Sequence, residues 1–143
     1  MKNVLIDSDV LLDFFFDRRP FSDSAAIILS LCDLKRINGF VTPVICSNIY
    51  YLLRKNSRHE NVIEKIRQML TFLDVLPMDK GVINEALNSN FRDFEDALEN
   101  FSAVKAGNIE VIITRNIKDY SKSQIGIMTP EHYIKSITTS FDR

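Results

Sequence analysis

Acidic side chains occupy three short segments of this 143-residue chain where they could act together. The segments contain Asp7-Ser8-Asp9, then Asp93 and Asp96, then Thr114, Asn116 and Asp119. Residues three apart on a helix share a face, so the second pair can point in one direction. Carboxylates gathered in one crevice repel one another and remain ionised only when cations lie between them. Oxygen ligands suit hard ions such as Mg²⁺ or Mn²⁺, and the sequence has no His or Cys cluster that would favour zinc.

Each segment also has an ordinary structural explanation. The first can cap the helix that follows it, and the third is rich in residues that form turns. Acids in the first turn of a helix, as in the second segment, complement the helix dipole by ~0.3–1 kcal/mol. We expect Glu95 and Glu99 to serve only that dipole, because they should point away from the Asp93–Asp96 face.

The acids can act together only if the fold brings the three segments to one place. Short apolar runs alternate with longer amphipathic segments, which predicts βαβ units and a parallel sheet covered on both faces. The predicted strands are Asn3–Ile6, Phe40–Val41, Asp74–Pro77, Glu110–Thr114 and Gly126–Met128. The apolar spacing predicts helices that begin near Asp9, Ser22, Ile45, His59, Asp79, Asp93 and Pro130. We therefore expect an α/β/α sandwich around a mostly parallel sheet of about five short strands.

Groups at the carboxyl ends of such strands share one crevice, where ligands bind. Asp7 ends the first predicted strand, Thr42 the second and Thr114 the fourth, so all three belong to the predicted crevice. Asp93 and Asp96 open the helix that leads into the fourth strand, and strand order alone does not locate them.

Composition limits the class of protein. The length suits one domain over residues 1–143, and 45% hydrophobic with 26% charged residues is a globular composition. A net charge of −1 excludes a general affinity for nucleic acid, although residues 34–67 contain seven Lys or Arg and only two Asp or Glu. No apolar run reaches the ~20 residues of a membrane helix, and an acid at position 7 interrupts any signal peptide. Cys32 and Cys46 lack disulfide or zinc spacing, so we expect free thiols in a cytoplasmic protein.

Four ordered motifs resemble those of a known family. They are Val4-Leu5-Ile6-Asp7-Ser8-Asp9-Val10-Leu11-Leu12-Asp13, then Thr42-Pro43 through Asn48-Ile49-Tyr50-Tyr51-Leu52-Leu53-Arg54-Lys55, then Asp93-Phe94-Glu95-Asp96-Ala97-Leu98, then Ile113-Thr114-Arg115-Asn116-Ile117-Lys118-Asp119-Tyr120. In order and spacing they resemble the PIN-domain family of metal-dependent ribonucleases, and in particular its small VapC-like toxin branch. The resemblance implies an RNA substrate, a Mg²⁺ or Mn²⁺ cofactor and an antitoxin partner.

The resemblance also implies roles for individual residues. Asp7 and Asp96 would be direct metal ligands, and Asp93 a ligand or a positioner of water. Asn116 and Asp119 would complete the set of catalytic residues. Ser8, Asp9, Asn48 and Thr114 would support it by holding water or neighbouring carboxylates. Basic residues near the crevice would hold RNA phosphates, namely Arg54, Lys55, Arg115 and Lys118, although Arg54 and Lys55 could equally complement a helix dipole.

Two positions depart from the family pattern. Asn48 stands where the family usually has an acid, and the segment from Leu34 to His59 contains no acid at all. Asn116 likewise stands where many members have Asp. An amide supplies a neutral oxygen, so the site should bind its ion more weakly. These positions favour the alternative of a weakened or inactive module that binds RNA or protein.

Two other enzyme classes fit less well. A dehalogenase-like phosphatase also opens with a motif similar to Asp7-x-Asp9, but its later paired acids end a strand, whereas Asp93 and Asp96 follow a polar turn. A receiver domain needs a lysine at the end of a late strand, where this chain has Thr114-Arg115-Asn116.

Phe14, Phe15 and Phe16 cannot all face one core, so at least one should be exposed or lie in an interface. With Leu11 and Leu12 they suggest a homodimer surface or a groove for an antitoxin segment.

Overall fold

Five parallel strands form the central sheet, in the order β3-β2-β1-β4-β5. The protein is described by a computed structural model that covers residues 2–141, with side chains as far as residue 138. The strands are β1 (Asn3–Ile6), β2 (Asn38–Val41), β3 (Leu73–Val75), β4 (Val111–Ile113) and β5 (Gly126–Met128). The first strand in sequence is therefore the middle strand in space.

Seven helices flank the sheet and complete the expected α/β/α sandwich. They are α1 (Ser8–Phe15), α2 (Ser22–Asp33), α3 (Pro43–Arg54), α4 (His59–Met69), α5 (Lys80–Leu87), α6 (Phe94–Ala106) and α7 (Pro130–Phe141). A short 3₁₀ helix, Ile117–Tyr120, follows β4. None of the helices in the described residues is long and apolar enough to cross a membrane.

The middle strand is covered on both faces. Val4, Leu5 and Ile6 are all fully buried, and successive strand residues point to opposite faces of a sheet. Such continuous apolar runs are typical of parallel sheets with helices on both sides. The sandwich thus follows from the composition of its central strand.

The observed elements differ from the predicted ones mainly at their ends. All five strands are parallel, β2 begins earlier at Asn38, and β3 ends before Leu76 and Pro77. The third acidic segment, expected to be a turn, contains the 3₁₀ helix. Because a single helical turn carries no apolar periodicity, the sequence pattern does not distinguish it from a loop.

Both cysteines are free, Cys32 in the core and Cys46 half-buried. The run of three phenylalanines is divided as expected, because Phe14 is exposed while Phe15 and Phe16 pack against the core. The expectation that Leu11 and Leu12 belong to the same partner surface is wrong, because both are buried in the core.

Gly39 in β2 marks the tightest packing between the sheet and its helices. A Cβ atom there would lie 2.5 Å from Cys32 Sγ and 2.6 Å from Leu73 Cδ2. We expect Gly39→Ala to lower the free energy of unfolding by roughly 1–3 kcal/mol through overpacking, measured by urea denaturation. Gly81→Ala is the matched control, because its Cβ would lie 3.2 Å or more from its neighbours, the ends of the exposed Lys105 and Asp79 side chains, and the substitution favours a helix. Equal stability of the Gly39→Ala variant and the wild type would contradict the packing described.

Candidate active site

The carboxyl ends of β1 and β4 lie side by side and bring the first and third acidic segments together. Leu5 pairs with Ile112 and Ile6 with Ile113. The ladder continues one residue further, because the Asp7 amide donates to the Ile113 carbonyl oxygen at 3.0 Å. The crevice predicted from strand order therefore exists, with Asp7 and Thr114 next to each other.

Asp7 has two roles at once. It is the N-cap of α1, and its Oδ1 accepts from the Ser8 amide at 2.8 Å. Its Oδ2 accepts from Thr114 Oγ1 at 3.0 Å and from the Tyr120 hydroxyl at 3.1 Å. Asp7 therefore caps α1 with one oxygen, while its other oxygen faces the segment that follows β4.

Asp9 is held by the segment that follows β4. Its Oδ2 accepts from the Arg115 amide at 3.1 Å and from Asn116 Nδ2 at 3.0 Å, and Thr114 Oγ1 lies 3.3 Å away. The single hydroxyl proton of Thr114 therefore lies between two carboxylates, those of Asp7 and Asp9. The other oxygen of Asp9, Oδ1, is buried without a hydrogen-bond partner.

The second acidic segment reaches the crevice through α6. Asp93 is the N-cap, and its Oδ1 accepts from the Asp96 amide at 3.0 Å. This bond leaves the half-buried carboxylate of Asp96 free of any capping role. Asp96 lines the same cavity as Asp7 and Asp9, so the structure brings together residues that strand order alone did not locate.

The expectation that Glu95 and Glu99 point away from this site is wrong. Glu99 is 3% exposed, and the Thr42 hydroxyl lies 2.7 and 2.9 Å from its two carboxylate oxygens. Glu99 follows Asp96 by three residues and so shares its face of α6. Both glutamates line the cavity that contains Asp96.

Asn48 on α3 contacts one of these glutamates. Its Nδ2 donates to Glu95 Oε2 at 3.1 Å, across the gap between α3 and α6. The position that lacks the usual acid is therefore next to an acid supplied by another helix.

Asp96 lines two cavities. The first, which we call the α3 cavity, has a volume of about 500 Å³ and is lined mainly by residues of α1, α3 and α6. The second, the loop cavity, has a volume of about 580 Å³ and lies between residues 90–93 and residues 118–122. Asp93 and Asp119 line the loop cavity, whereas Ser8, Asn48 and Asn116 line the α3 cavity.

Burial and mutual repulsion raise the pKa values of the clustered acids. Burial is the larger cause, and it raises the pKa of Asp9 and of Asp96 to about 7 and that of Glu99 to about 8. The Asp7 carboxylate adds to all three rises by repulsion. Burial also raises the pKa of Asp7, although hydrogen bonds from Ser8, Thr114 and Tyr120 oppose that rise. In the metal-free protein these carboxyl groups therefore keep their protons to a higher pH than exposed carboxyl groups do.

This donor set fits a hydrated divalent cation. In the described part of the chain, no group of three or more His, Cys, Asp or Glu side chains is placed so that it could hold a metal ion by itself. Mg²⁺ does not need one, since it keeps several waters and takes one or two carboxylates together with substrate phosphates. Five acids and two bases line the α3 cavity, and Asp9 Oδ1 has no partner. The residues present are therefore compatible with a hydrated divalent cation.

The four cations expected to hold RNA occupy different environments. Lys55 lines the α3 cavity and Lys118 the loop cavity. Arg54 donates to the Ser57 carbonyl oxygen at 2.9 Å and lines neither cavity.

Arg115 is engaged within the protein. Its Nε and Nη2 donate to the buried carboxylate of Asp13 at 2.9 and 3.0 Å, and its guanidinium lies 4.1 Å from the centre of the Phe21 ring. A bidentate pair of this kind fixes both partners. Arg115 thus joins the end of β4 to α1 and α2, which supports the backbone amide that holds Asp9.

Sequence reasoning assigned no role to several residues that form the site. Tyr120 was part of the fourth motif, yet its buried hydroxyl bond to Asp7 depends on the 3₁₀ helix. Glu99 could have been found by counting three residues from Asp96. Arg18, Tyr51, Arg92 and Lys122 line the cavities, and only the tertiary structure brings them there.

Comparison with known proteins identifies a family. A family model described as PIN domain matches residues 3–118 of this chain. A local stretch of 89 residues is 35% identical to probable polyketide synthase 34 of Dictyostelium discoideum and covers 62% of this chain. The chain spans only 3% of the length of that protein.

Solved structures share the fold at low sequence identity. VapBC2 from Rickettsia felis, bound to a DNA fragment from its promoter, gives a TM-score of 0.63 at 14% identity over 88% of this chain and 96% of that one. A toxin–antitoxin complex from Klebsiella pneumoniae gives 0.63 at 19% identity, with coverages of 89% and 97%. VapC20 from Mycobacterium tuberculosis, a toxin that cleaves the sarcin–ricin loop, gives 0.62 at 13% identity, with coverages of 82% and 95%. The expected PIN-like fold is confirmed.

The raised pKa of Glu99 predicts a pH-dependent stability of the metal-free protein. Between an ordinary glutamate pKa of about 4.5 and the folded value of about 8, the folded protein keeps a proton that the unfolded chain has released. Stability should therefore fall as the pH rises from about 5 to about 8 and then level off. Glu99→Gln should reduce this fall in the free energy of unfolding by roughly 2–4 kcal/mol. Urea denaturation in EDTA between about pH 5 and pH 8 measures the difference. Glu131→Gln, at an exposed position on α7, is the control. If the stability of Glu99→Gln and of Glu131→Gln changed with pH in the same way, the raised pKa could not be assigned to Glu99.

Proposed function

We propose that this chain, which belongs to the PIN domain family, is a metal-dependent endoribonuclease that hydrolyses RNA phosphodiester bonds. The observation that carries the proposal is the set of carboxylates around one cavity at the carboxyl edge of the sheet, Asp7, Asp96 and Glu99 among them. A phosphodiester carries negative charge and would be repelled by this cluster alone. A divalent cation between the carboxylates and the phosphate removes that repulsion, which explains why such a site would require one.

Asp7 and Asp96 are the residues that would hold the ion. When bound, Mg²⁺ or Mn²⁺ lowers the pKa of a coordinated water and stabilises charge on the phosphodiester. Asp93 and Asp119 line the adjoining loop cavity and would position water by accepting its protons in hydrogen bonds. Ser8 keeps Asp7 in place through its amide, while Thr114 and Asn116 keep Asp9 in place.

Glu95 supplies the carboxylate that α3 lacks. The family usually has an acid at the position of Asn48, and here the Asn48 amide donates to Glu95 Oε2. An amide cannot add negative charge, but as a donor it can hold a carboxylate at the cavity wall. Glu95 also lies next to Asp96 in sequence, so its negative charge would attract an ion bound at Asp96.

The biological role that fits this activity is that of a toxin in a toxin–antitoxin pair. The fold neighbours include toxin–antitoxin complexes from Rickettsia felis and Klebsiella pneumoniae and a toxin that cleaves the sarcin–ricin loop. An antitoxin protein is thus the expected partner, in the cytoplasm where the RNA is found. The exposed Phe14 is a candidate contact for that partner or for a second copy of the chain.

A non-catalytic module that binds RNA or protein is the second candidate. The observation that favours it is Asn116, whose amide donates to Asp9 Oδ2 and supplies no charge of its own. Such a module would bind RNA without turnover, and its binding would be unaffected when Asp96 is replaced.

The role of Glu95 predicts a compensating pair of substitutions. Glu95→Gln should weaken Mn²⁺ binding by roughly tenfold, since it removes a nearby unit charge. Asn48→Glu combined with Glu95→Gln should restore affinity, because the carboxylate then comes from α3. Isothermal titration of Mn²⁺ without RNA measures both, with Glu85→Gln on α5 as the control. Affinity that is unchanged in Glu95→Gln would show that this carboxylate lies outside the reach of the ion.

The proposed activity predicts cleavage of RNA that EDTA abolishes and Mg²⁺ or Mn²⁺ restores. Replacing a residue that supports a metal ligand typically costs 10–100-fold, so Asp96→Asn should lower the rate by at least ~100-fold. Asp33→Asn, at the exposed end of α2, should leave the rate unchanged. Gel analysis of a labelled RNA measures these rates. Cleavage that survives Asp96→Asn at unchanged metal concentration would exclude the mechanism, and binding without cleavage by the wild type would favour the second candidate.

A further inference from the structure

A buried phenol contacts one of the proposed metal ligands. Tyr120 is the last residue of the 3₁₀ helix that follows β4, and it is 1% exposed. Its hydroxyl donates to Asp7 Oδ2 at 3.1 Å, the oxygen that the cap of α1 leaves free. A phenylalanine ring would fill nearly the same space, and a buried hydroxyl costs free energy unless it is hydrogen-bonded. What the hydroxyl adds at this position is therefore its bond to the carboxylate.

Asp7 Oδ2 has a second donor, which it shares with another acid. Thr114 Oγ1 lies 3.0 Å from Asp7 Oδ2 and 3.3 Å from Asp9 Oδ2. A threonine hydroxyl has a single proton, so it cannot donate to both carboxylates at once. The Tyr120 hydroxyl therefore holds Asp7 Oδ2 in place even when Thr114 donates to Asp9.

The same phenol also affects the second proposed ligand. Burial and the charge of Asp7 raise the pKa of Asp96, and hydrogen bonding from the Tyr120 hydroxyl opposes this rise. Burial and the charges of Asp7 and Asp96 raise the pKa of the phenol itself, so it stays protonated at neutral pH and acts as a donor. One hydroxyl thus interacts with both acids.

Aromatic contacts connect the ring of Tyr120 to the helix that carries Asp96. The ring meets that of Phe91 edge to face, with 6.2 Å between the ring centres, and Phe91 meets Phe101 in the same way at 5.9 Å. Such edge-to-face pairs are favourable, and Phe101 belongs to α6, as Asp96 does. Tyr120 is thus attached to α6 through its ring and to the end of β1 through its hydroxyl.

We infer that Tyr120 is a positioning residue, which holds the Asp7 and Asp96 carboxylates at the separation that a bound Mg²⁺ or Mn²⁺ requires. These carboxylates come from different elements, the end of β1 and the first turn of α6. Mg²⁺ needs near-ideal octahedral geometry at short ligand distances, so a small change in their separation should weaken binding. The inference rests on the proposed function, because it takes Asp7 and Asp96 as the ligands, and it adds a residue that acts through them.

Mg²⁺ titration of the Tyr120→Phe variant of the full chain, by isothermal calorimetry without RNA, tests the inference. Loss of a group that positions a metal ligand typically lowers metal affinity 10–100-fold, so this variant should bind Mg²⁺ at least ~tenfold more weakly than the wild type. Tyr133→Phe is the matched control. In the described part of the chain, Tyr133 is equally buried and its hydroxyl has no hydrogen-bond partner, so its loss should leave the affinity unchanged.

The comparison of Mg²⁺ with Ca²⁺ separates positioning from a general effect on the fold. Ca²⁺ accepts longer ligand distances and a more flexible geometry. Tyr120→Phe should therefore lower the affinity for Ca²⁺ much less than that for Mg²⁺, whereas a residue that only stabilises the fold would affect both ions alike.

Phe91→Leu is a second variant, which keeps the hydroxyl and removes the contact between the rings. It should lower the Mg²⁺ affinity by a smaller factor than Tyr120→Phe does, again with less effect on Ca²⁺. Urea denaturation in EDTA shows that each variant is folded before the titration.

Equal Mg²⁺ affinity in Tyr120→Phe and the wild type, or an equal loss for Mg²⁺ and Ca²⁺, would overturn the inference. So would a loss in Tyr133→Phe as large as that in Tyr120→Phe. The proposed function can fail separately. If the wild type never cleaves RNA while the titrations follow the expected pattern, the role of Tyr120 stands and catalysis is refuted; if the wild type cleaves RNA and Tyr120→Phe binds Mg²⁺ normally, only the role of Tyr120 is refuted.

Discussion

Confinement of like charges is the constraint on which the rest of this structure depends. One crevice contains the carboxylates of Asp7, Asp9, Asp96 and Glu99. Their raised pKa values reflect the free-energy cost of burying like charges together. The groups that hydrogen-bond to these carboxylates are mainly neutral donors. They are the Ser8 and Arg115 amides, the Thr114 and Thr42 hydroxyls and the Tyr120 phenol. These donors hold the oxygens in position without neutralising them. The carboxylate oxygens are therefore already positioned for the proposed cation.

The rigid frame comes from pairings between distant parts of the chain. The buried Asp13 at the end of α1 holds Arg115 after β4 through two hydrogen bonds. Asn48 on α3 holds Glu95 on α6, and Thr42 holds Glu99. Breaking a buried ion pair by removing one partner typically costs about 3–5 kcal/mol. The carboxylates are thus kept together by contacts that also join α1, α3 and α6 to the sheet.

The apolar pattern of the sequence predicted the helices and strands. It also predicted the position of those site residues that depend only on the order of the strands. Strand order located Asp7 and Thr114, and the apolar spacing predicted a helix that begins near Asp93. Glu99 was assigned to the helix dipole, although its spacing of three residues from Asp96 places it on the same face of α6. The Asn48–Glu95 contact was missed because the sequence does not show how closely α6 approaches α3. Arg115 illustrates the same limit. Its charge suggested a phosphate contact, but its partner Asp13 lies 102 residues away in sequence, and no spacing rule connects them.

The double use of Asp7 has a consequence for reading related sequences. Its Oδ1 caps α1, so a related chain without the proposed activity would still need an oxygen-bearing side chain there for folding. Retention of this aspartate is therefore poor proof of activity. Asp96 is different, because Asp93 already caps the helix and folding places no such demand on it. If Asp96 holds the proposed ion, its retention or loss among related sequences is a better indication of whether the proposed activity is present.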